Sequence, residues 1–277
     1  MLTIPEALGA QAENGRHKAD GLRSPARFTV SGMLAGAYIG VGVVLMVTAA
    51  GPLFAAGSGR GKVVSGLVFG VALTIVVIAG GELVTSSMMT IPQAALMGAV
   101  RPGRAAGAIM WTFGANLVGS IVFGALIVAS GVLHSNAAAG AMISDMLAAK
   151  AHESPLELFV RGILCNVLVC VAIWMTVRLS SETARIVVVF AAILAFITSG
   201  FEHVVANMTT FTIGLLSGDP SATIGGFVLN LLLVGAGNLV GGGLVVGAGY
   251  WFVGGSPRLR AIPESAPHAH ISPTSAG

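Results

Sequence analysis

Charge is scarce in this chain. Its 277 residues include 14 Lys plus Arg and 11 Asp plus Glu, 9% in all, where a soluble domain carries about 25%. Those charges cannot coat a water-facing surface. A 55% hydrophobic content and a mean hydropathy of +0.90 agree. Cysteine is nearly absent, and Cys165 with Cys170 can build neither a disulfide framework nor a four-ligand zinc site. The 39 glycines show no three-residue period, which excludes collagen. Gly-x-Gly runs follow no soluble strand, so they support no nucleotide loop. No catalytic triad, metal cluster or cofactor signature is visible, so an enzyme, a cofactor and a nucleic-acid partner are not expected. What remains is an all-α integral membrane protein.

The few charges mark where the chain leaves the bilayer. A helix needs about 20 apolar residues to cross a ~30 Å hydrocarbon core. The segments 28–53, 106–133, 158–177 and 224–253 each suffice for one crossing. Four further charge-free windows form two pairs, each split by one carboxylate, Glu82 or Glu202. Each pair is either two crossings or one crossing made of two half-helices with an irregular loop at mid-depth. Positive-inside counting decides between them. Six spans with a cytoplasmic N-terminus place 10 basic residues inside and 4 outside, whereas eight spans give 8 and 6. Six spans with two broken helices, both termini cytoplasmic, is therefore expected. The run at 28–53 is too long for the h-region of a signal peptide. Residues 1–27 read as a cytoplasmic segment with a short amphipathic helix around 4–12, residues 28–254 as the membrane domain, and residues 255–277 as a disordered tail. In that tail His268 and His270 read as solvated residues.

The chain also repeats itself. Asn116-Leu117-Val118-Gly119 recurs as Asn238-Leu239-Val240-Gly241, 122 positions on, and Glu82 and Glu202 lie 120 apart. Three spans per repeat is odd, so the second copy must be inverted. Inverted repeats with matching interrupted helices point to a substrate path near the midplane.

Polar residues within the spans are the functional candidates. Glu82 and Glu202 begin the two loops, either capping loose N–H groups or touching substrate. His203, in Gly200-Phe201-Glu202-His203, can carry charge or exchange a proton near neutral pH, and Thr85 occupies the corresponding stretch of the first break. Lys150 precedes the fourth span, either lining an outer vestibule or serving as an interfacial lysine, and Asn166 is similarly ambiguous. Cys165 and Cys170 read as inert core thiols.

Four motifs resemble the formate/nitrite transporter family in order and spacing. They are Ala35-Gly36-Ala37-Tyr38-Ile39-Gly40, Gly81-Glu82-Leu83-Val84-Thr85, Gly162-Ile163-Leu164-Cys165-Asn166-Val167-Leu168-Val169-Cys170, and Gly200-Phe201-Glu202-His203-Val204-Val205-Ala206-Asn207-Met208. The likeness covers roughly residues 28–253. It implies an aquaporin-like six-helix protomer in the bacterial inner membrane, a homopentamer, and one pore per protomer for formate, nitrite or hydrosulfide. Carried over by position, His203 resembles the central pore histidine and Thr85 the threonine of the first loop. Lys150 and Asn166 resemble the residues that bias the vestibule and contact the histidine region, with Glu82, Glu202 and Asn207 supporting the loops. Phe69, Leu73, Leu83, Val169 and Phe196 fall at the family's apolar constrictions, together with Val84, where many members carry phenylalanine. Ser86-Ser87 departs from the usual Asn-containing continuation.

The resulting expectation is an anion channel or proton-coupled transporter centred on His203. The segment Leu168 to Met175 and the terminal Gly249-Tyr250-Trp251 resemble nitrite-type members, with formate as the alternative. An aquaporin-like neutral-solute channel is the rival of another class, although paired Asn-Pro-Ala motifs are lacking. A membrane scaffold or sensor is a third, disfavoured by the paired breaks.

Overall fold

The computed structural model describes residues 1–258, and those residues fold as helices joined by short connections. They are α1 (Ile4–Asp20), α2 (Pro25–Ala55), α3 (Gly61–Ala79), α4 (Val84–Leu96), α5 (Pro102–Ser130), α6 (Val132–Ser135), α7 (Ala137–His152), α8 (Pro155–Arg178), α9 (Glu182–Thr198), α10 (Val204–Ser217), α11 (Ile224–Leu239) and α12 (Gly249–Val253). A π-helical stretch, Val240–Ala248, joins the last two. Five of the resulting helices are long and apolar enough to cross a membrane: Pro25–Ala55, Gly61–Ala79, Pro102–Ser130, Pro155–Arg178 and the continuous Ile224–Val253. The chain is thus a multi-pass membrane protein. The expected tail at 255–277, with its two histidines, lies outside the described residues from position 259 on.

Both interruptions have one local cause. α3 ends on Gly80 at φ 84°, and α9 runs through Ser199 to Gly200 at φ 75°. Both are left-handed positions that an L side chain adopts at a cost of about 1–2 kcal/mol. The following residues are extended, with Leu83 and His203 as the N-caps of α4 and α10. The pieces are not equal halves, since α3 has 19 residues and α4 has 13. Together they exceed the ~20 residues of a straight crossing, so they cannot be collinear and perpendicular to the membrane. A Cβ built at Gly80 or Gly200 meets nothing within 4 Å. Gly80→Ala and Gly200→Ala should therefore each destabilise the protein by about 1–2 kcal/mol through backbone strain alone. The measurement is thermal unfolding in detergent, and unchanged midpoints would contradict this origin of the breaks.

Packing follows the repeated sequence. α2 lies along α5 and α8 along α11, with α3 and α9 meeting between them. A Cβ on Gly162 would come within 2.7 Å of the Val234 carbonyl oxygen, so small residues set that crossing. In the first pair, Gly36 and Gly119 face the backbone carbonyls of Asn116 and Met33.

The amphipathic segment is longer than expected, running to Asp20 rather than ending near residue 12. Ala7, Leu8, Ala12 and Ala19 are fully or almost fully buried, while Glu13 and Arg16 stay exposed. The helix starts in a Thr3–Glu6 capping box and is tethered by Leu2, whose N–H donates to the Arg178 carbonyl at 2.9 Å and whose carbonyl accepts from Arg178 Nε at 3.1 Å. α1 packs under α4, and its counterpart α7 packs against α2 and α10.

Candidate functional site

Irregular backbone at membrane depth needs partners supplied by the protein. One asparagine serves each break. Asn116 Oδ1 accepts from Val84 N–H at 2.9 Å, and its Nδ2 donates to the carbonyls of Gly32 and Glu82, both at 2.8 Å. Asn238 repeats the arrangement: its Oδ1 accepts from Val204 N–H at 3.0 Å, and its Nδ2 donates to Gly162 at 2.7 Å and Glu202 at 3.0 Å. Each break also donates one N–H to a carbonyl of a neighbouring long helix, Glu82 to Ser31 of α2 at 3.2 Å and Glu202 to Arg161 of α8 at 3.3 Å. The Asn-Leu-Val-Gly repeat thus marks two loop clamps.

Capping by Glu82 and Glu202, one of the two expected roles, is not what their carboxylates do. Each is ion-paired to a lysine instead. Glu202 takes Lys150 Nζ on both oxygens, at 2.5 and 2.6 Å, and Asn207 Nδ2 at 2.6 Å. Asn207 also donates to Asn230 Oδ1 at 2.8 Å. Glu82 pairs with Lys18 of α1 and accepts from Ser87 Oγ at 2.7 Å. The physical reason is charge: the asparagines already take Val84 N–H and Val204 N–H, so each carboxylate is left to its lysine. Lys18 had no expected role from the sequence. No signal in the sequence marked it, since its distance from Lys150, 132 residues, does not match the 120 and 122 of the repeat.

At the centre, His203 Nε2 lies 3.1 Å from Thr85 Oγ1, and His203 Nδ1 accepts from Ala206 N–H at 3.2 Å. An occupied Nδ1 places the hydrogen of the neutral ring on Nε2, facing Thr85. The histidine therefore caps α10 with one nitrogen and presents a donor with the other. Phe196 stacks on its ring with centroids 6.0 Å apart, and Phe69 meets Phe196 edge-on at 6.2 Å.

Two cavities approach this centre. One, of about 750 Å³, is lined by Lys18, Glu82, Ser86, Thr90 and Leu73. The other, of about 370 Å³, is lined by Lys150, Glu202, Asn207, Phe69, Phe196 and His203. Leu83, Val84 and Val169 are fully buried but line neither of these two cavities. Asn166 also lines neither. Its Nδ2 bridges the carbonyls of Thr85 at 3.1 Å and Asn238 at 2.6 Å, so it supports the threonine side of the central pair and makes no hydrogen bond to His203. Withdrawal of the Asn238 carbonyl, and of the Gly247 carbonyl by Gln93 at 3.1 Å, accompanies the wide π turn between them.

The site thus consists of a buried polar pair between two cavities, each containing a lysine held by a carboxylate at a break. Its residues bring hydrogen-bond donors and paired charge to a centre walled by phenylalanines. The family model described as formate/nitrite transporter matches residues 5–252. The chain belongs to the formate/nitrite transporter family. The nitrite transporter NirC of Escherichia coli (strain K12) is 36% identical over 230 residues, covering 83% of this chain and 84% of that protein. NirC of Salmonella typhimurium is 38% identical over the same length, with the same coverage of each chain. The formate channel FocA of E. coli (strain K12) is 29% identical over 272 residues, covering 91% and 94%. Among solved structures, an FNT family ion channel superposes with a TM-score of 0.83 at 34% identity, covering 90% of this chain and 98% of that one. A pentameric formate channel with formate bound gives 0.72 at 27% identity, covering 83% and 98%. Family members are channels and transporters rather than enzymes.

Proposed function

We propose that the protein conducts small monovalent anions, nitrite first and formate as the alternative, through one pore per protomer of a homopentamer in the bacterial inner membrane. The observation that carries this reading is the His203–Thr85 pair between two lysine-bearing cavities. Matching contacts in the two halves support six spans in two inverted repeats of an aquaporin-like protomer. The positive-inside count supports cytoplasmic termini, with the Lys18 cavity facing the cytoplasm and the Lys150 cavity facing outward. The nitrite preference rests on the NirC relatives.

An anion entering an apolar passage loses its hydration at a cost of many kcal/mol. Lys150 and Lys18, with the N-terminal ends of α10 and α4, attract it toward the centre. Removal of water favours the neutral acid over the anion, and the acid passes Phe69, Phe196 and the apolar side chains Leu73, Leu83, Val84 and Val169. It ionises again in the far cavity. His203 Nε2–H offers a hydrogen bond at the crossing point and gives up its proton to the anion as Nδ1 takes one from cavity water. For His203 itself to pass a proton on, Nδ1 must first leave Ala206 N–H and accept one. Return of the proton gives net anion flux, and its carriage across gives symport.

Stopped-flow uptake of nitrite, formate, hydrosulfide and glycerol into proteoliposomes tests the reading. Nitrite or formate uptake without glycerol uptake is expected, and glycerol uptake alone would overturn it. His203→Asn keeps a good helix cap but removes the ring chemistry. It should fold and lose the wild-type pH dependence of anion flux. Unchanged pH dependence in this variant and in His203→Ala would remove the histidine from the mechanism.

A further inference from the structure

Arg161 takes no part in the passage described above, yet it lines the same cavity as Lys150. It sits in the second turn of α8, and its backbone carbonyl receives the Glu202 N–H, which fixes it at the mouth of the second break. Its Nη1 is paired with Glu153 Oε1, the single hydrogen-bonded side-chain partner it has among the described residues. Glu153 belongs to the connection between α7 and α8, outside the spans, and also lines the cavity. Its second oxygen, Oε2, is buried with no partner. A buried carboxylate oxygen left unsatisfied loses hydration without compensation, so this arm is held in place by the arginine alone.

Glu153 presents to Arg161 a planar O–C–O group. Formate is that group itself, and nitrite is its bent O–N–O equivalent, whereas hydrosulfide has a single donor–acceptor atom. A guanidinium fork recognises two oxygens in one plane. Glu153 reaches that fork through Oε1 alone, so its carboxylate holds the place of a bent oxyanion without using the second prong that such an anion would fill.

We propose that Arg161 is a second anion subsite at the mouth of the Lys150 cavity, selective for bent two-oxygen anions and occupied in their absence by Glu153 as an intramolecular competitor. This deepens the transport reading and rests on it. The anion displaces Glu153 from Arg161 before passing to Lys150, and a proton on Glu153 weakens the competitor. The charged and titratable groups around the arm are Lys150 and Asp145 from α7, Glu202 and His203 from the break, Arg161 and Glu157 from α8, and Lys62 from α3. Burial raises the Glu153 pKa above its ordinary value, and Glu202 adds to this, against the opposing pull of Lys150 and Arg161. The arm thus takes up its proton at higher pH than a free glutamate, and mild acid on that side frees the arginine.

The test is initial uptake by the full-length protein in proteoliposomes of determined orientation, with pH varied only on the Lys150 side. Arg161→Gln should raise the half-saturating concentration of nitrite and formate about three- to fivefold, as for a partly exposed charged contact, while leaving that of hydrosulfide unchanged. Arg161→Lys keeps the charge without the fork and should show the same selective loss. Glu153→Gln should lower the half-saturating nitrite concentration at neutral pH and flatten its dependence on pH at that side. The double variant Glu153→Gln/Arg161→Gln should behave as Arg161→Gln. Equal losses for all three anions in Arg161→Lys would overturn the subsite, as would wild-type pH dependence in Glu153→Gln. Absence of uptake of any of the three anions by wild type would overturn the transport reading, and the subsite with it.

Discussion

Replacement of Asn238 by leucine should abolish the folded protein rather than weaken it. Leucine fills a similar volume but removes three hydrogen bonds, to Val204 N–H and to the carbonyls of Gly162 and Glu202. All three are buried, and each buried polar group left without a partner costs about 1–3 kcal/mol. At membrane depth no bulk water is available to compensate. The summed penalty is comparable to the roughly 5–15 kcal/mol that stabilises a typical domain. The expected outcome is loss of a monodisperse species on size exclusion and of a cooperative thermal transition. Asn116→Leu should do the same at the first break, because its three partners correspond one for one. A cooperative transition at the wild-type midpoint for either variant would show that the breaks hold themselves.

Neutralising Lys150 should have the next largest effect, and it has two separable parts. Lys150 and Glu202 are each 8% exposed at the side chain, so Lys150→Met leaves a buried carboxylate whose remaining hydrogen bond comes from Asn207. Breaking one partner of such a pair costs about 3–5 kcal/mol. The double variant Lys150→Met/Glu202→Gln removes both charges, and most of the lost stability should return. Anion capture should not return fully, because the Lys150 ammonium nearest the centre is still missing while Arg161 and Lys62 remain in the cavity. Thermal unfolding in detergent reads the first part, and the half-saturating nitrite concentration in proteoliposomes reads the second. Recovery of both in the double variant would make Lys150 purely structural. Lys18→Met should be milder, since Lys18 and Glu82 are 20% and 15% exposed and water shares in solvating the carboxylate left behind.

The two lysines illustrate how far each half of the chain could be read in advance. Lys150 stood out because it lies in a long stretch with few basic residues, just ahead of a span. Lys18 lies among Arg16, Arg23 and Arg27, where a charge count treats it as one more cytoplasmic cation. Its role depends on α1 folding back under α4 until residue 18 reaches residue 82, a contact between positions 64 apart that no local pattern encodes. Arg161 and Glu153 are only 8 apart, but they were invisible as a pair because the turn between α7 and α8 decides whether the two side chains meet. Asn116 and Asn238 were legible as a repeat but not as clamps, because a repeated tetrapeptide does not say which backbone groups its side chain will find.

Hydrophobicity acts on each segment locally, so it can be read along the chain. The scarcity of charge, the long apolar runs, the paired breaks at glycine and acid, and the family itself were all determined by the sequence alone. Burial of a polar atom is satisfied by whichever group the fold brings within hydrogen-bonding distance. The tertiary structure alone decided that the breaks are held by asparagines and that the glutamates hold lysines. It likewise decided that Asn166 supports Thr85 rather than touching His203, and that His203 Nε2 meets Thr85. Those assignments depend on distances between residues remote in the chain, and a linear pattern carries no distances.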